Sequence, residues 1–297
     1  MMPLLVPGPS SPLLTQRLAG VCNYKVAKVS YRVFPDGESY IRVEEDLREE
    51  EAIVVQSCPP PQDKRLMELL QLIDASLRAG ASKVIAVVPY LAYSRQDKVF
   101  LPHEALSSKI IAKAIEAVGA SSLVTVNVHS ELVLGYFEKI RALSVDAFPE
   151  IADYLASLGL KDPLVLSPDK KRYPDARKVA ELVDGEAAFL EKKRDLETGE
   201  VTTEEKALVI EGRDVVIVDD IISTGGTIVN AAKIISKGNP RRIIAACIHG
   251  LYAANALEKL MAAGVEEVIS TDSIESKTSK VTVAKTIASA IKRLLEG

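Results

Sequence analysis

Residues 215–227 read VVIVDDIISTGGT, and no other stretch restricts the fold of this chain as tightly. Four consecutive apolar β-formers, Val215, Val216, Ile217 and Val218, describe a strand buried on both faces, as in a parallel sheet covered by helices. Two adjacent carboxylates, Asp219 and Asp220, follow, so the strand should end here, at the carboxyl edge where open α/β sheets bind ligands. Ser223, Thr224, Gly225, Gly226 and Thr227 come next, ahead of a helical pattern over residues 228–237. Hydroxyls and two glycines before a helix N-terminus let backbone N–H groups close around a phosphate, and the helix dipole favours its charge. A strand, turn and capped helix would explain TGGT alone, but not the acid pair ahead of it. Carboxylates repel a phosphate, so their task is to accept hydrogen bonds from sugar hydroxyls or to hold a divalent cation. The stretch describes a site for a phosphorylated sugar.

At 297 residues the chain has room for two domains of ordinary size or one large α/β unit. Hydrophobic residues at 47% and charged residues at 26% suit a soluble globular protein. A net charge of -4 argues against a general nucleic-acid binder, which needs a basic excess to neutralise phosphates. Cys22, Cys58 and Cys247 are odd in number, far apart and each beside apolar sequence, so they read as buried thiols in a reducing compartment. The opening MMPLLVPGPSSPLL has no basic segment and is broken by Pro3, Pro7, Pro9 and Pro12, unlike a secretory leader, and no apolar run is of membrane-spanning length. The expectation is a cytoplasmic protein that binds neither membrane nor nucleic acid.

Ser10 or Ser11 before Pro12 reads as an N-cap opening a helix through Leu18. YRVFPDGESYIRVEEDL alternates on either side of Pro35, Asp36 and Gly37, the pattern of two strands joined by a turn. Residues 52–57 form a buried strand, Leu66, Leu69, Leu70, Ile73 and Leu77 recur at helical spacing before Gly80, and residues 84–88 form a second buried strand. At its carboxyl end stands YLAYSRQDK, which puts Arg95, Gln96 and Asp97 at a ligand-facing position. A helix over 105–118 and the strand SLVTVNV follow, with His129 just past the end. The second half repeats this logic. A strand over 164–166 ends in SPD, a helix covers 174–183, and an edge strand covers 187–190. The polar segment EKKRDLETGEVTTEEKALV, with its turn pair Thr198 and Gly199, reads as a long mobile hairpin or flap. After residues 215–227, RRIIAACIHG ends at His249 and Gly250, and a helix over 255–263, a strand over 267–271 and an amphipathic helix from Val283 complete the chain.

Residues 215–227 resemble the 5-phosphoribosyl-1-pyrophosphate (PRPP) loop shared by type I phosphoribosyltransferases and ribose-phosphate pyrophosphokinases, or PRPP synthetases. Two further motifs resemble the synthetases specifically. Phe34, Asp36 and Glu38 match their F-x-D-G-E segment, and PYLAYSRQD matches their P-Y-x-x-Y-x-R-Q-D signature. The resemblance implies that Phe34, Asp36 and Glu38 reach the adenine of ATP bound by a neighbouring subunit, and that Arg95 and Gln96 also hold ATP. NVHSELVLGYF is similar to the family segment whose histidine helps bind Mg²⁺, which puts His129 there, although Asn127 stands where the family has Asp. Asp169 falls at the Asp of the family's S-P-D-x-G-G loop, where it would support a second Mg²⁺, but Lys170, Lys171 and Arg172 follow in place of the glycines. Lys192 and Arg194 match the first and third positions of a basic triplet on the catalytic loop, where cations neutralise charge on the transferred phosphates. His249 and Gly250 resemble a T-H-G element, with Ile248 in place of Thr.

The fold so implied is α/β, with two type I phosphoribosyltransferase-like domains, each a mainly parallel sheet flanked by helices, related by a pseudo-two-fold repeat. The boundary is expected near 143–148, giving residues 1–145 on the ATP side and 146–297 with the sugar-phosphate loop. The implied reaction converts ATP and ribose 5-phosphate, with Mg²⁺, to PRPP and AMP. The 5-phosphate falls to Ser223–Thr227 and the ribose hydroxyls to Asp219 and Asp220. An inter-subunit adenine loop implies a homo-oligomer, at least a dimer, with tetramer and hexamer also open. Two alternatives stand beside this one, a phosphoribosyltransferase that consumes PRPP and an inactive synthetase-like regulator.

Overall fold

A computed structural model describes residues 3–194, 201–204 and 209–296, with residues 191–194 and 201–204 described by their backbone alone. The chain forms two compact units. In chain order the first contains β1 (Leu4–Pro7), α1 (Pro12–Cys22), β2 (Lys25–Val26), β3 (Val29–Val33), β4 (Ser39–Val43), β5 (Glu51–Val55), α2 (Gln62–Arg78), β6 (Lys83–Val87), α3 (Ser107–Val118), β7 (Ser122–Val126) and β8 (Arg141–Val145). Six of these strands make a parallel sheet in the order β2-β1-β5-β6-β7-β8, while β3 and β4 pair antiparallel with each other. The apolar runs behave as continuous hydrophobicity demands, since Ile53, Val54, Val55, Val84, Ala86 and Val87 are all fully buried. On α2 the buried stripe runs through Leu66, Leu69, Leu72 and Ile73, and the expected Leu70 and Leu77 lie half-buried at its margin.

The second unit contains α4 (Phe148–Ser157), β9 (Leu164–Ser167), α5 (Tyr173–Leu182), β10 (Glu186–Phe189), β11 (Glu191–Arg194), β12 (Val201–Glu204), β13 (Asp214–Ile222), α6 (Gly226–Ile235), β14 (Arg242–Gly250), α7 (Ala256–Ala262), β15 (Glu267–Thr271) and β16 (Ser279–Val281). Its parallel sheet has the order β10-β9-β13-β14-β15-β16, and β11 and β12 form a separate antiparallel pair. Numbered within each sheet, both orders read 2-1-3-4-5-6, and both units insert their hairpin between the second and third sheet strands. This is the doubly wound arrangement, in which strand order reverses between the first and third strands.

The units are not continuous in sequence. Ala147 opens the second, but Asp272–Glu275 and the chain from Thr282 return to the first, unlike the single cut between 145 and 146. The last helix, α8 (Ala284–Leu295), buries Ile287, Ala290 and Ile291 and packs on α1, β7 and β8. The returning chain is also tied by polar contacts. Arg17 Nη1 lies 2.6 Å from Asp272 Oδ2, and the Leu14 amide donates to Glu275 Oε1 at 2.8 Å, serving an N–H of the first turn of α1. No helix among the described residues is long and apolar enough to cross a membrane.

Candidate functional site

In the second unit the order reverses between β9 and β13, so a ligand crevice belongs at their carboxyl ends. The sequence predicts that β13 stops at Val218, but the strand runs on to Ile222 because β14 supplies backbone partners as far as Gly250. Its pairing with β9 ends at Ile217. Residues 219–222 therefore extend past the end of β9 along one neighbour only. Strand alternation sends Asp219 and Asp220 to opposite faces. Asp219 is half-buried and its Oδ1 accepts from the Asp220 amide at 2.9 Å, while Asp220 is only 3% exposed. Gly225 then turns the chain with φ +76°, a conformation that L-residues rarely adopt, and a Cβ there would stand 3.3 Å from Ala256 Cβ. The helix α6 starts at Gly226, and no side chain caps it. Its first-turn N–H groups lie beside exposed Thr224, Gly226 and Thr227, at the place where the sequence reading expects a phosphate loop.

The loop after β9 has no glycine cradle. Asp169 caps a 3₁₀ turn over Lys170–Arg172, its Oδ1 accepting from the Arg172 amide at 3.2 Å, and Ser167 Oγ donates to the Asp169 carbonyl at 2.6 Å. Lys170 and Lys171 are exposed. Arg172 instead folds inward, pairing through Nη2 with Asp220 and approaching Asp175 Oδ2 with Nη1 at 3.3 Å. The basic triplet is thus two solvent-facing lysines and one internal counter-ion to the acid pair. Sequence reading missed that role, because nothing local links positions 172 and 220.

On the neighbouring strand His249 is 2% exposed and stands opposite Ile221. Cys247, below it, is fully buried, and burial pushes its thiol up to about 12 despite a hydrogen bond to Tyr252. It is a core residue, not a nucleophile.

The equivalent reversal in the first unit lies between β1 and β5, and polar side chains stitch it shut. Gln56 Oε1 accepts from the Ser10 amide at 3.2 Å, the Ser57 amide donates to Ser11 Oγ at 2.9 Å, and Ser57 Oγ donates to the Ser273 carbonyl. Ser11, Gln56 and Ser57 are buried. The uncapped helix start that faces solvent beside such a reversal belongs to the second unit.

The first unit also carries the other expected residues. Phe34, Asp36 and Glu38 form the tip joining β3 to β4. The tip is closed by the Phe34 amide to the Glu38 carbonyl at 2.8 Å and by Gly37 at φ +97°. The Phe34 ring is 37% exposed, and the Arg32 guanidinium sits 4.6 Å from the centroids of both Phe34 and Tyr40. Arg95 is exposed in the turn beyond β6. Gln96 is held there by Ser107, whose Oγ donates to its side-chain oxygen, and by Ser108, whose Oγ donates to its carbonyl at 2.8 Å. His129 is half-buried beyond the end of β7, and Asn127 donates to Asp146 Oδ1 at 2.9 Å.

Lys192 and Arg194 lie on β11, in register with Thr203 and Val201 of β12, as the expected hairpin requires. Their side chains, and the turn at Thr198 and Gly199, lie outside the described residues. Among the described residues no three His, Cys, Asp or Glu side chains gather as a metal cage. His129 belongs to the first unit and Asp169 to the second.

Comparison with known proteins agrees with this arrangement from end to end. Residues 4–119 match the N-terminal domain of ribose phosphate pyrophosphokinase and residues 143–285 match the phosphoribosyl transferase domain. The chain is 41% identical over 281 residues to a ribose-phosphate pyrophosphokinase of Sulfurisphaera tokodaii, covering 94% of this chain and 96% of that one. With the ribose-phosphate pyrophosphokinase of Methanothermobacter thermautotrophicus it shares 42% over 283 residues, 95% of this chain and 98% of that one. The crystal structure of phosphoribosylpyrophosphate synthetase from Mycobacterium smegmatis superposes with a TM-score of 0.86 at 28% identity, over 100% of this chain and 99% of that chain.

Proposed function

Since the chain belongs to the ribose-phosphate pyrophosphokinase family, we propose that it transfers the β,γ-pyrophosphoryl group of ATP, as one unit, to the 1-hydroxyl of D-ribose 5-phosphate, giving PRPP and AMP. The observation that carries this reading is the uncapped N-terminus of α6 set directly beyond an acid pair at the reversal of a doubly wound sheet. Few ligands other than a phosphorylated sugar ask for both anion donors and adjacent carboxylates.

In this reading the first-turn amides and hydroxyls of Ser223–Thr227 bind the 5-phosphate, and the ribose hydroxyls, expected on Asp219 and Asp220, fall to half-buried Asp219, since Asp220 is 3% exposed and paired with Arg172. Arg95 and Gln96, with Phe34, Asp36 and Glu38, hold ATP, and Arg95 supplies a fork for phosphate oxygens. Loose phosphoryl transfer asks mainly for alignment and charge neutralisation, which suits a site with cations and no strong nucleophile of its own. Lys192 and Arg194 stabilise the charge on the group in flight. Mg²⁺ takes oxygen donors, and beside substrate phosphates it needs only one or two carboxylates, so Asp169 fits as a donor to one ion, while His129 would help hold the separate Mg²⁺ of the nucleotide. Each ion, when bound, would neutralise phosphate charge. The adenine tip supports a homo-oligomer of at least two copies, and the three free thiols, Cys58 and Cys247 buried and Cys22 half-buried rather than buried as expected, support a cytoplasmic location.

The test is to incubate the purified chain with Mg-ATP, with and without ribose 5-phosphate, and to measure AMP. AMP should form only when the sugar phosphate is present. AMP formed equally without it, or none with it, would overturn the reading. A phosphoribosyltransferase would instead consume PRPP when offered a base, and an inactive regulator would bind ATP without turnover.

A further inference from the structure

Glu68 lies in the second turn of α2 and is 0% exposed, an uncommon position for a carboxylate. Four donors surround it. Tyr31 Oη at 2.7 Å and Ser39 Oγ at 3.3 Å reach Oε1, while Gln56 Nε2 at 3.2 Å and Arg65 Nη1 at 2.8 Å reach Oε2. These fill the acceptor capacity of an ionised carboxylate. Tyr31 and Ser39 belong to the hairpin, one on each strand, and Gln71 of α2 adds a bond from Nε2 to the Ser39 carbonyl at 2.9 Å. Gln56 follows β5, and its other end accepts from Ser10 after β1. The carboxylate thus ties both hairpin strands to the helix and to the stitched end of the sheet.

The hairpin needs such a tie. β3 and β4 pair only with each other, and an isolated two-stranded hairpin is marginal in water. The same helix also anchors the turn bearing Arg95 and Gln96, since Asp63 in its first turn accepts from Tyr93 Oη. One rigid helix therefore carries both groups of expected ATP contacts.

We propose that Glu68 is a positioning residue for the nucleotide. It fixes the 29–43 hairpin on α2 so that the tip residues Phe34, Asp36 and Glu38 are presented in one conformation before ATP arrives. This rests on the reading that the tip binds adenine. Pre-organisation of this kind acts on binding, because a tip that is already ordered loses less freedom when the ligand docks.

The experiment is steady-state kinetics of Glu68→Gln, Tyr31→Phe and the double variant, with both substrates varied. Glu68→Gln keeps the shape but turns an NH₂ toward groups that are themselves donors. KM for ATP should rise roughly tenfold, with kcat within about threefold of wild type and KM for ribose 5-phosphate unchanged. Tyr31→Phe should give a smaller rise in KM for ATP, and the double variant should be no worse than Glu68→Gln, since both act through one network. A merely structural residue would lower the active fraction, and so apparent kcat, without separating the two KM values. An unchanged KM for ATP in Glu68→Gln, or an equal rise in both KM values, overturns the proposal. If Glu68→Gln does not fold, Tyr31→Phe and Ser39→Ala, which leave the carboxylate its other donors, decide it by the same split. A wild-type chain that forms no AMP would end only the reaction reading. Titration of a non-hydrolysable ATP analogue into the same variants would then decide Glu68, weaker binding supporting the proposal and equal binding overturning it.

Discussion

Arg172→Ala removes the internal counter-ion of the acid pair, and the geometry around it fixes how much that should matter. Deleting one partner of a buried ion pair destabilises by about 3–5 kcal/mol, whereas exposed pairs contribute about 0.2–1 kcal/mol. The Arg172 and Asp220 side chains are 18% and 4% exposed, so the pair lies toward the buried limit but not at it. The two ends also differ. Without Arg172 a nearly inaccessible carboxylate loses its guanidinium. Without the Asp220 charge, Arg172 keeps Asp175 at 3.3 Å and some water. The expectation is a loss of about 3 kcal/mol for Arg172→Ala and about 1–2 kcal/mol for Asp220→Asn, with the double variant about 1.5 kcal/mol or more better than their sum. The chain has no Trp, so urea unfolding is best followed by far-UV circular dichroism, comparing midpoints at constant slope. Losses that are equal for the two single variants and additive within about 0.5 kcal/mol would show that the contact carries no coupling, and with it the role of Arg172 as counter-ion would fall.

The two loop glycines should separate backbone strain from ligand contact. Gly225→Ala forces a left-handed residue against Ala256 and should lose about 1–2 kcal/mol of stability. Gly226→Ala, whose Cβ would meet only Thr224 Oγ1 at 4.0 Å at the first position of α6, should leave stability within about 1 kcal/mol of wild type while weakening ribose 5-phosphate binding measured by calorimetry, and unimpaired binding would count against the phosphate loop. Burial alone would raise the Asp214 carboxyl, yet hydrogen bonds from Arg241 and the Lys161 amide, with the charges of Arg242 and Arg241, hold it below the usual carboxylate range. Its contribution to stability is therefore present above an unfolded value of about 3.9 and lost as pH falls through the lower folded one. Asp214→Asn should melt lower than wild type at pH 7, with the gap narrowing below about pH 4; a gap constant with pH contradicts the assignment. Iodoacetamide at neutral pH should modify half-buried Cys22 first and spare Cys58 and Cys247, whose thiols burial pushes up, until the chain unfolds, as peptide mass spectrometry can verify.

Much of the framework was legible because it rests on local physics. Unbroken apolar runs at 52–55, 84–87 and 215–218 have no stable place but a strand covered on both faces, and that alone implies a parallel sheet with helices on either side. Pro35, Asp36 and Gly37 between alternating segments specify a hairpin, and the glycine does take a positive φ. The spacing of hydroxyls and glycines before α6 specified a tight turn opening a helix for the same reason, since each feature acts within a few residues of chain.

What remained hidden depends on partners distant in sequence. The strands β1, β2, β8 and β16 are two to five residues long, broken by proline or without a period, and only neighbouring strands make them strands. An amphipathic pattern tells that α8 buries one face, but not that the face returns to the first unit across the whole second one. Asp219 and Asp220 looked like the end of a strand because charge normally marks the rim; tertiary structure carries β13 four residues further by giving it β14, and buries Asp220 by giving it Arg172. The sequence by itself determined which buried segments must be sheet and where a glycine turn opens a helix, since those follow from side-chain type and spacing. Only the folded chain decided which charges neutralise each other and which crevice is shut, because those depend on groups tens of residues apart meeting where water is excluded.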